Sequence, residues 1–215
     1  MSGFQYIFDN AESISIDKSP VVAQSVSRDA TVRSVKRSGD TWKFTVKLPN
    51  GIRWTDIRPY VQEFENLDRY TTDTIQMNTS GYTSWLNNYL GDSSTTTGWT
   101  AQVHPSQSDR LQFVSFGAYS PDASGETVLR AGDIIQLRTK NVYQVKQDVV
   151  YSTGNQTPDI LVNRVPLETT GTTYDLDIGP LAQWDVVCTQ FPSWTIFARD
   201  QVSWSGAFVF YEVTR

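Results

Sequence analysis

The chain has 215 residues, enough to bury a hydrophobic core as one large β domain or as two smaller modules. Its 18 Lys and Arg against 23 Asp and Glu leave a net charge of −5 with no polycationic tail or stripe, which argues against direct binding of DNA or RNA. A single cysteine, Cys188, excludes an intrachain disulfide and any metal site built on several thiolates.

Residues 4–8 (Phe4, Gln5, Tyr6, Ile7, Phe8) form a short apolar segment that reads as an edge strand or as an arm that adds a strand to a neighbour. Ile14 and Ile16 alternate with serines before a polar link around Pro20. Residues 31–37 and 42–48 flank Ser38, Gly39 and Asp40 and predict a hairpin, with Trp42, Phe44, Val46 and Leu48 on one face of its second arm. A helix follows the turn at Pro49, Asn50 and Gly51. Thr55 is its expected cap, and Ile57, Tyr60, Val61, Phe64 and Leu67 recur at helical spacing. Residues 71–77 return as a strand.

From residue 78 to 107 the character becomes polar and turn-rich, which predicts an inserted loop or small lobe. Leu111, Phe113 and Phe116 mark the return to sheet. The central hairpin is the sharpest signal. Ile135 and Leu137 share a face of one strand, Tyr143 and Val145 share a face of the next, and Gln136, Arg138, Gln144, Lys146 and Asp148 occupy the other face. Residues 159–162 form another strand candidate, while Leu176, Ile178 and Leu181 read as part of a loop-rich link. Three strand candidates close the chain, at residues 184–189, 194–198 and 207–213. The last is apolar on both faces, so it is either central to a sheet or covered by another subunit.

No glycine-rich phosphate loop, nucleophile elbow or metal-ligand motif occurs, and no cofactor is expected. No basic N-terminal segment leads into an apolar run and no apolar stretch approaches bilayer length, so the expectation is a soluble chain with no cleaved signal and no membrane partner. His104 reads as a surface loop residue and Cys188 as a buried strand residue. Asp175 with Asp177, and Asp56 with Glu63, are carboxylate pairs with nothing to fix their separation, and they read as solvated turn and helix charges. Tyr82, Trp85, Tyr89 and Trp99 suit a protein interface, a local core or a sugar-stacking platform. With seven Trp, ten Tyr and ten Phe, the chain is rich in side chains that favour strands and permanent interfaces.

Three stretches carry a family resemblance. The strand through Trp42, Lys43, Phe44, Thr45 and Val46, followed by a helix starting near Ile57 and Arg58 and containing Phe64, resembles the opening of double-stranded DNA phage minor tail and baseplate proteins of the distal-tail kind. Residues 129–136 followed by 142–145 are similar to their central hairpin, and residues 162–166 with the terminal 204–212 fit their aromatic-rich ending. The resemblance spans residues 30–215, with a departure at 78–107. It implies a non-enzymatic ring or baseplate component that joins the tail tube to the tip machinery. Its partners would be other tail or baseplate proteins and further copies in a homo-oligomeric ring, and it would be assembled in the host cytoplasm into the virion tail. No catalytic residue comes with it.

The expected fold is mainly β: antiparallel sheets, as a sandwich or partly open barrel, with one packed α-helix. Residues 1–29 are an N-terminal arm or edge strands, and 30–215 a β-rich assembly domain with the insert at 78–107. The candidate interface residues are Phe4, Tyr6, Phe8, Trp85, Tyr89, Phe208, Phe210 and Tyr211. The rival reading is a carbohydrate-binding β module on a virion or enzyme, and a glycosidase is a more distant third.

Overall fold

The computed structural model describes residues 2–18, 20–26, 32–66, 71–77, 87–117, 125–139, 141–154 and 156–214, with backbone alone for 20–26, 32–40, 64 and 65. The fold is mainly β, with antiparallel sheets and packed helices. Two compact units share the chain: unit 1 is residues 1–75 and 185–213, and unit 2 is residues 76–184 with the last two residues. The compact inserted body is therefore much longer than the polar stretch 78–107.

Unit 1 opens with α1 (Gly3–Asp9), β1 (Ser13–Asp17), β2 (Pro20–Val26), β3 (Val32–Asp40), β4 (Lys43–Lys47), β5 (Ile52–Arg53), α2 (Trp54–Asn66) and β6 (Asp73–Gln76). Unit 2 contributes β7 (Thr100–Val103), β8 (Arg110–Ser115), β9 (Thr127–Leu129), β10 (Ile134–Leu137), β11 (Val142–Gln144), β12 (Val149–Val150), β13 (Asp159–Leu161), β14 (Thr173–Ile178) and a 3-10 turn at Gly179–Leu181. The chain returns through β15 (Gln183–Gln190), β16 (Trp194–Phe197), β17 (Gln201–Trp204) and β18 (Phe208–Glu212).

In unit 1 the five-stranded sheet runs β1-β4-β18-β15-β6, so the chain leaves through β6 and comes back through its neighbour β15. Residues 4–8 are helix rather than strand. The Ser2 hydroxyl accepts from the Gln5 N–H at 3.3 Å and caps the start, the Gln5 side chain donates to Asp9, and Asn10 closes the end on the Tyr6 carbonyl. Helical spacing then turns Phe4, Ile7 and Phe8 to one face, where Phe4 and Phe8 meet Phe210 and Phe8 also meets Phe44. α2 buries Ile57 and Val61 and starts one residue before its expected cap. Thr55 instead donates its hydroxyl to Asp200.

The hairpin expected between residues 31–37 and 42–48 does not form. β4 pairs with β1 from Ser13↔Lys47 to Asp17↔Lys43, and β3 pairs with β2, starting at Pro20↔Asp40 in the same register before a bulge. The two pairs are thus one long antiparallel hairpin whose base lies in the five-stranded sheet. Among the described residues, β2 and β3 pair with no strand but each other.

Unit 2 is a six-stranded curled sheet in the order β11-β10-β14-β7-β8-β13, with β9 and β12 paired beside it. Its two edge strands run on into an antiparallel bridge at Val145↔Val162, and the Lys146 N–H donates to the Leu161 carbonyl across the same seam. Trp99, Ala101, Val103, Leu111, Phe113, Ile135, Leu137, Tyr143, Leu176 and Ile178 fill the inside of the curl. The stretch of the expected insert from Trp99 to Val103 is therefore core, and all of it but Trp99 is strand. Leu176 and Ile178 also belong to a strand, β14, because they alternate with Asp175 and Asp177. The central hairpin pairs Ile135 with Tyr143, but its second face is not simply solvated. Gln136 is buried there, its amide donating to the Gln183 carbonyl and accepting from the Gln183 N–H.

Candidate assembly surface

The residues singled out as contacts divide into three groups. Phe4, Phe8, Phe208 and Phe210 are buried inside unit 1 itself, and Tyr6 stacks on Tyr60 between α1 and α2 at 3.9 Å. Burial, followed by the neighbouring Tyr60 and Asp56, raises the Tyr6 phenol above its ordinary value. Tyr89 packs edge-on against the buried Trp99 and donates its hydroxyl to the Val128 carbonyl at 2.6 Å. Tyr211 is exposed on the outer face of β18, opposite Lys43 and Val187, with the Lys43 ammonium near its ring. Trp85 and Tyr82 lie outside the described residues. Tyr89 and Trp99 are thus spent inside unit 2 and offer no stacking platform.

The polar candidates are held by local partners. Arg138 bridges Asp175 at 2.6 Å and Asp177 at 3.1 Å, so this carboxylate pair is an ion-pair cluster in which Asp175 is exposed and Asp177 half-buried. Glu63 accepts from the Gly3 N–H at the start of α1. His104 accepts at Nδ1 from the Ser106 N–H, and its Nε2 lies 3.7 Å from Asp159. Cys188 is buried, and burial pushes its thiol up to about 12. Among the described residues, no group of three or more His, Cys, Asp or Glu could hold a metal ion.

Two polar networks brace unit 2. The Asp133 carboxylate accepts from the Leu90 and Arg130 N–H groups and pins the segment before β7 to the turn that leads into β10, while burial raises its carboxyl above the ordinary range. Tyr143 donates to Glu168, which also accepts from the Asn141 backbone and side chain, and the Arg164 guanidinium sits over the Tyr143 ring while donating to the Val142 carbonyl. The loop they hold presents Val165 and Leu167 to solvent.

Among the strands whose side chains are described, the least covered apolar one is β16. It is the edge of a three-stranded sheet in the order β16-β17-β5, and among the described residues β17 is its only strand neighbour. Trp194 and Ile196 share a face with their partners Trp204 and Val202. Val202 is fully buried, yet Ile196 is 48% exposed and Phe197, on the other face, 42%. The core beneath β17 does not extend under β16. Only the Trp194 ring is covered, by Trp54 at 4.5 Å.

The hairpin is nonetheless firmly held. Its turn places Ala198 and Arg199 at positive φ, a conformation that costs a residue with a Cβ about 1–2 kcal/mol. The Asp200 carbonyl accepts from the Trp54 N–H at 2.7 Å, the Asp200 carboxylate takes the Thr55 hydroxyl, and Gly51 donates to the Val202 carbonyl. Ile196 and Phe197 were missed as contacts because β17 is not an evident strand in the sequence. Without its partner, β16 does not read as an edge.

No protein-family model matches the chain, and no curated protein matches it in sequence. What the fold defines is a class: a mainly β protein of two compact units in which, among the described residues, the apolar strand β16 has one unpaired edge.

Proposed function

We propose that this chain is a non-enzymatic structural subunit of a bacteriophage tail tip or baseplate, joining the tail tube to the distal machinery through contacts with other tail proteins and with further copies of itself. The observation that carries an assembly role is β16, a rigidly held edge strand whose Ile196 and Phe197 are uncovered. The long β2–β3 arm adds to it, since a two-stranded ribbon that pairs with no other strand among the described residues gains most of its stability from a partner. The tail setting rests on the resemblance of the segments around Trp42, Ile135 and Phe210 to distal-tail proteins. The work of such a subunit is mechanical: strand edges and apolar side chains fix neighbours in register, and no bond is made or broken.

Replacing Ile196 and Phe197 together by lysine tests this reading. Both side chains are exposed, so the fold survives, and the expected result is particles with incomplete tails. Lys47→Ala, also at an exposed side chain, leaves tails intact. Complete tails from particles carrying the double variant, or lacking the chain altogether, would overturn the reading.

A further inference from the structure

The free edge of β16 has a register of its own. The Ser205 N–H donates to the Ser193 carbonyl at 2.9 Å, so residue 193 turns its backbone groups toward β17. Strand alternation gives residues 195 and 197 the same direction and points the N–H and C=O groups of Trp194 and Ile196 outward. These are the two residues whose side chains share the incompletely covered face. No charged residue lies between Phe191 and Ala198, and the strand contains no proline or bulge to repel a second strand.

We propose that this edge pairs with the same edge of a second copy of the chain, antiparallel, about a two-fold axis through Thr195. A two-fold axis normal to the sheet keeps each side chain on its own face, which requires Trp194 to oppose Ile196 of the second copy and Ile196 to oppose its Trp194. Both outward-facing residues then form hydrogen-bonded pairs, four backbone bonds in all by the ladder geometry. Each exposed Ile196 gains a tryptophan ring beside it, an aromatic and β-branched cross-strand pair. On the other face, Thr195 meets Thr195 and Phe197 meets Ser193.

An identical strand fits because an uncharged edge brings no like charges together at the axis. The contact is isologous and closes at two copies, so it joins subunits pairwise and does not by itself build a ring. With four residues a side it is a small contact, below the size of a stable dimer interface, and pairing depends on a high local concentration. The proposal rests on the reading of β16 as a contact surface but not on the tail setting.

Cysteine substitution at the axis tests it. Thr195 is a non-hydrogen-bonded pair with its own copy, where Cα atoms lie about 4.5 Å apart and a disulfide forms without distortion. The native Cys188 is buried and gives little background. Under mild oxidation of concentrated full chain, Thr195→Cys is expected to give a covalent dimer as the main species, with circular dichroism unchanged. Phe197→Cys is exposed on the same face but lies roughly 13 Å from its own copy in this register, and stays monomeric. Adding Ile196→Lys to Thr195→Cys should reduce cross-linking at least tenfold.

A monomeric Thr195→Cys chain, or equal cross-linking at 195 and 197, would overturn the pairing. If cross-linking fails while the lysine variants still block tail assembly, β16 binds a different protein and only this inference falls. If cross-linking occurs as expected and particles carrying the double lysine variant still form complete tails, the pairing stands and the tail reading falls.

Discussion

Cys188 lies in the middle of β15 with its Sγ 3.3 Å from the Gln190 carbonyl, and burial pushes its thiol from 9.0 up to about 12. Tyr143 is shifted in the same direction, by burial first and then by the Glu168 carboxylate. Both groups hold their proton in the folded chain at pH values where the unfolded chain releases it. Their contribution is therefore complete below the unfolded value, near 9 for Cys188 and near 10 for Tyr143, and is lost as pH rises above it. Past that point each group costs about 1.4 kcal/mol per pH unit. Denaturant unfolding at pH 7–11 should show the stability gap between the parent and Cys188→Ala narrowing from pH 9 upward. A gap independent of pH would mean the thiol ionises in the folded state. The burial of Cys188 was legible from its apolar strand, Val186 to Thr189. That of Glu212 was not. It faces the core beside Phe208 and Phe210 because the Trp42 N–H lies 3.4 Å from its carboxylate, a long-range partner that no local pattern announces.

Among the elements, the strands with strict alternation were readable and those with mixed signals were not. β4 and β8 follow their apolar alternation, β10 is buried along its whole length, and β18, apolar on both faces, is central because β4 and β15 flank it. α1 was misread because five residues contain too little periodicity to separate a strand from a helix. Its identity is fixed by the Ser2 cap and by the side-chain bond from Gln5 to Asp9, which only helical spacing brings together. The long hairpin was misassigned because the Gly39 turn signal lies inside β3, which continues to Asp40. Helix and arm make different predictions for Phe8. As a core residue against Phe44 and Phe210, its replacement by alanine should cost about 3–5 kcal/mol of folding stability, measured by denaturant unfolding of the monomer. A loss below about 1 kcal/mol, with association impaired instead, would restore the arm.

At the scale of the whole molecule, the mainly β class followed from strand density and turn chemistry, whereas the division into two units did not. The boundaries fall inside β6 and β15, where the chain passes from one unit to the other without a linker, so composition carries no signal of the change. Of the candidate surface, exposed Tyr211 was legible, while Ile196 and Phe197 were hidden by the unrecognised β17. The central claim, that the chain is a structural piece of a phage tail tip, concerns a place in a particle. Electron cryomicroscopy of the intact particle tests it most directly. The account predicts several copies arranged around the tail axis at the distal end of the tube, with β16 buried against a neighbouring subunit. Tail-tip density resolved throughout and accounted for by other chains, with none that fits either unit, would contradict it.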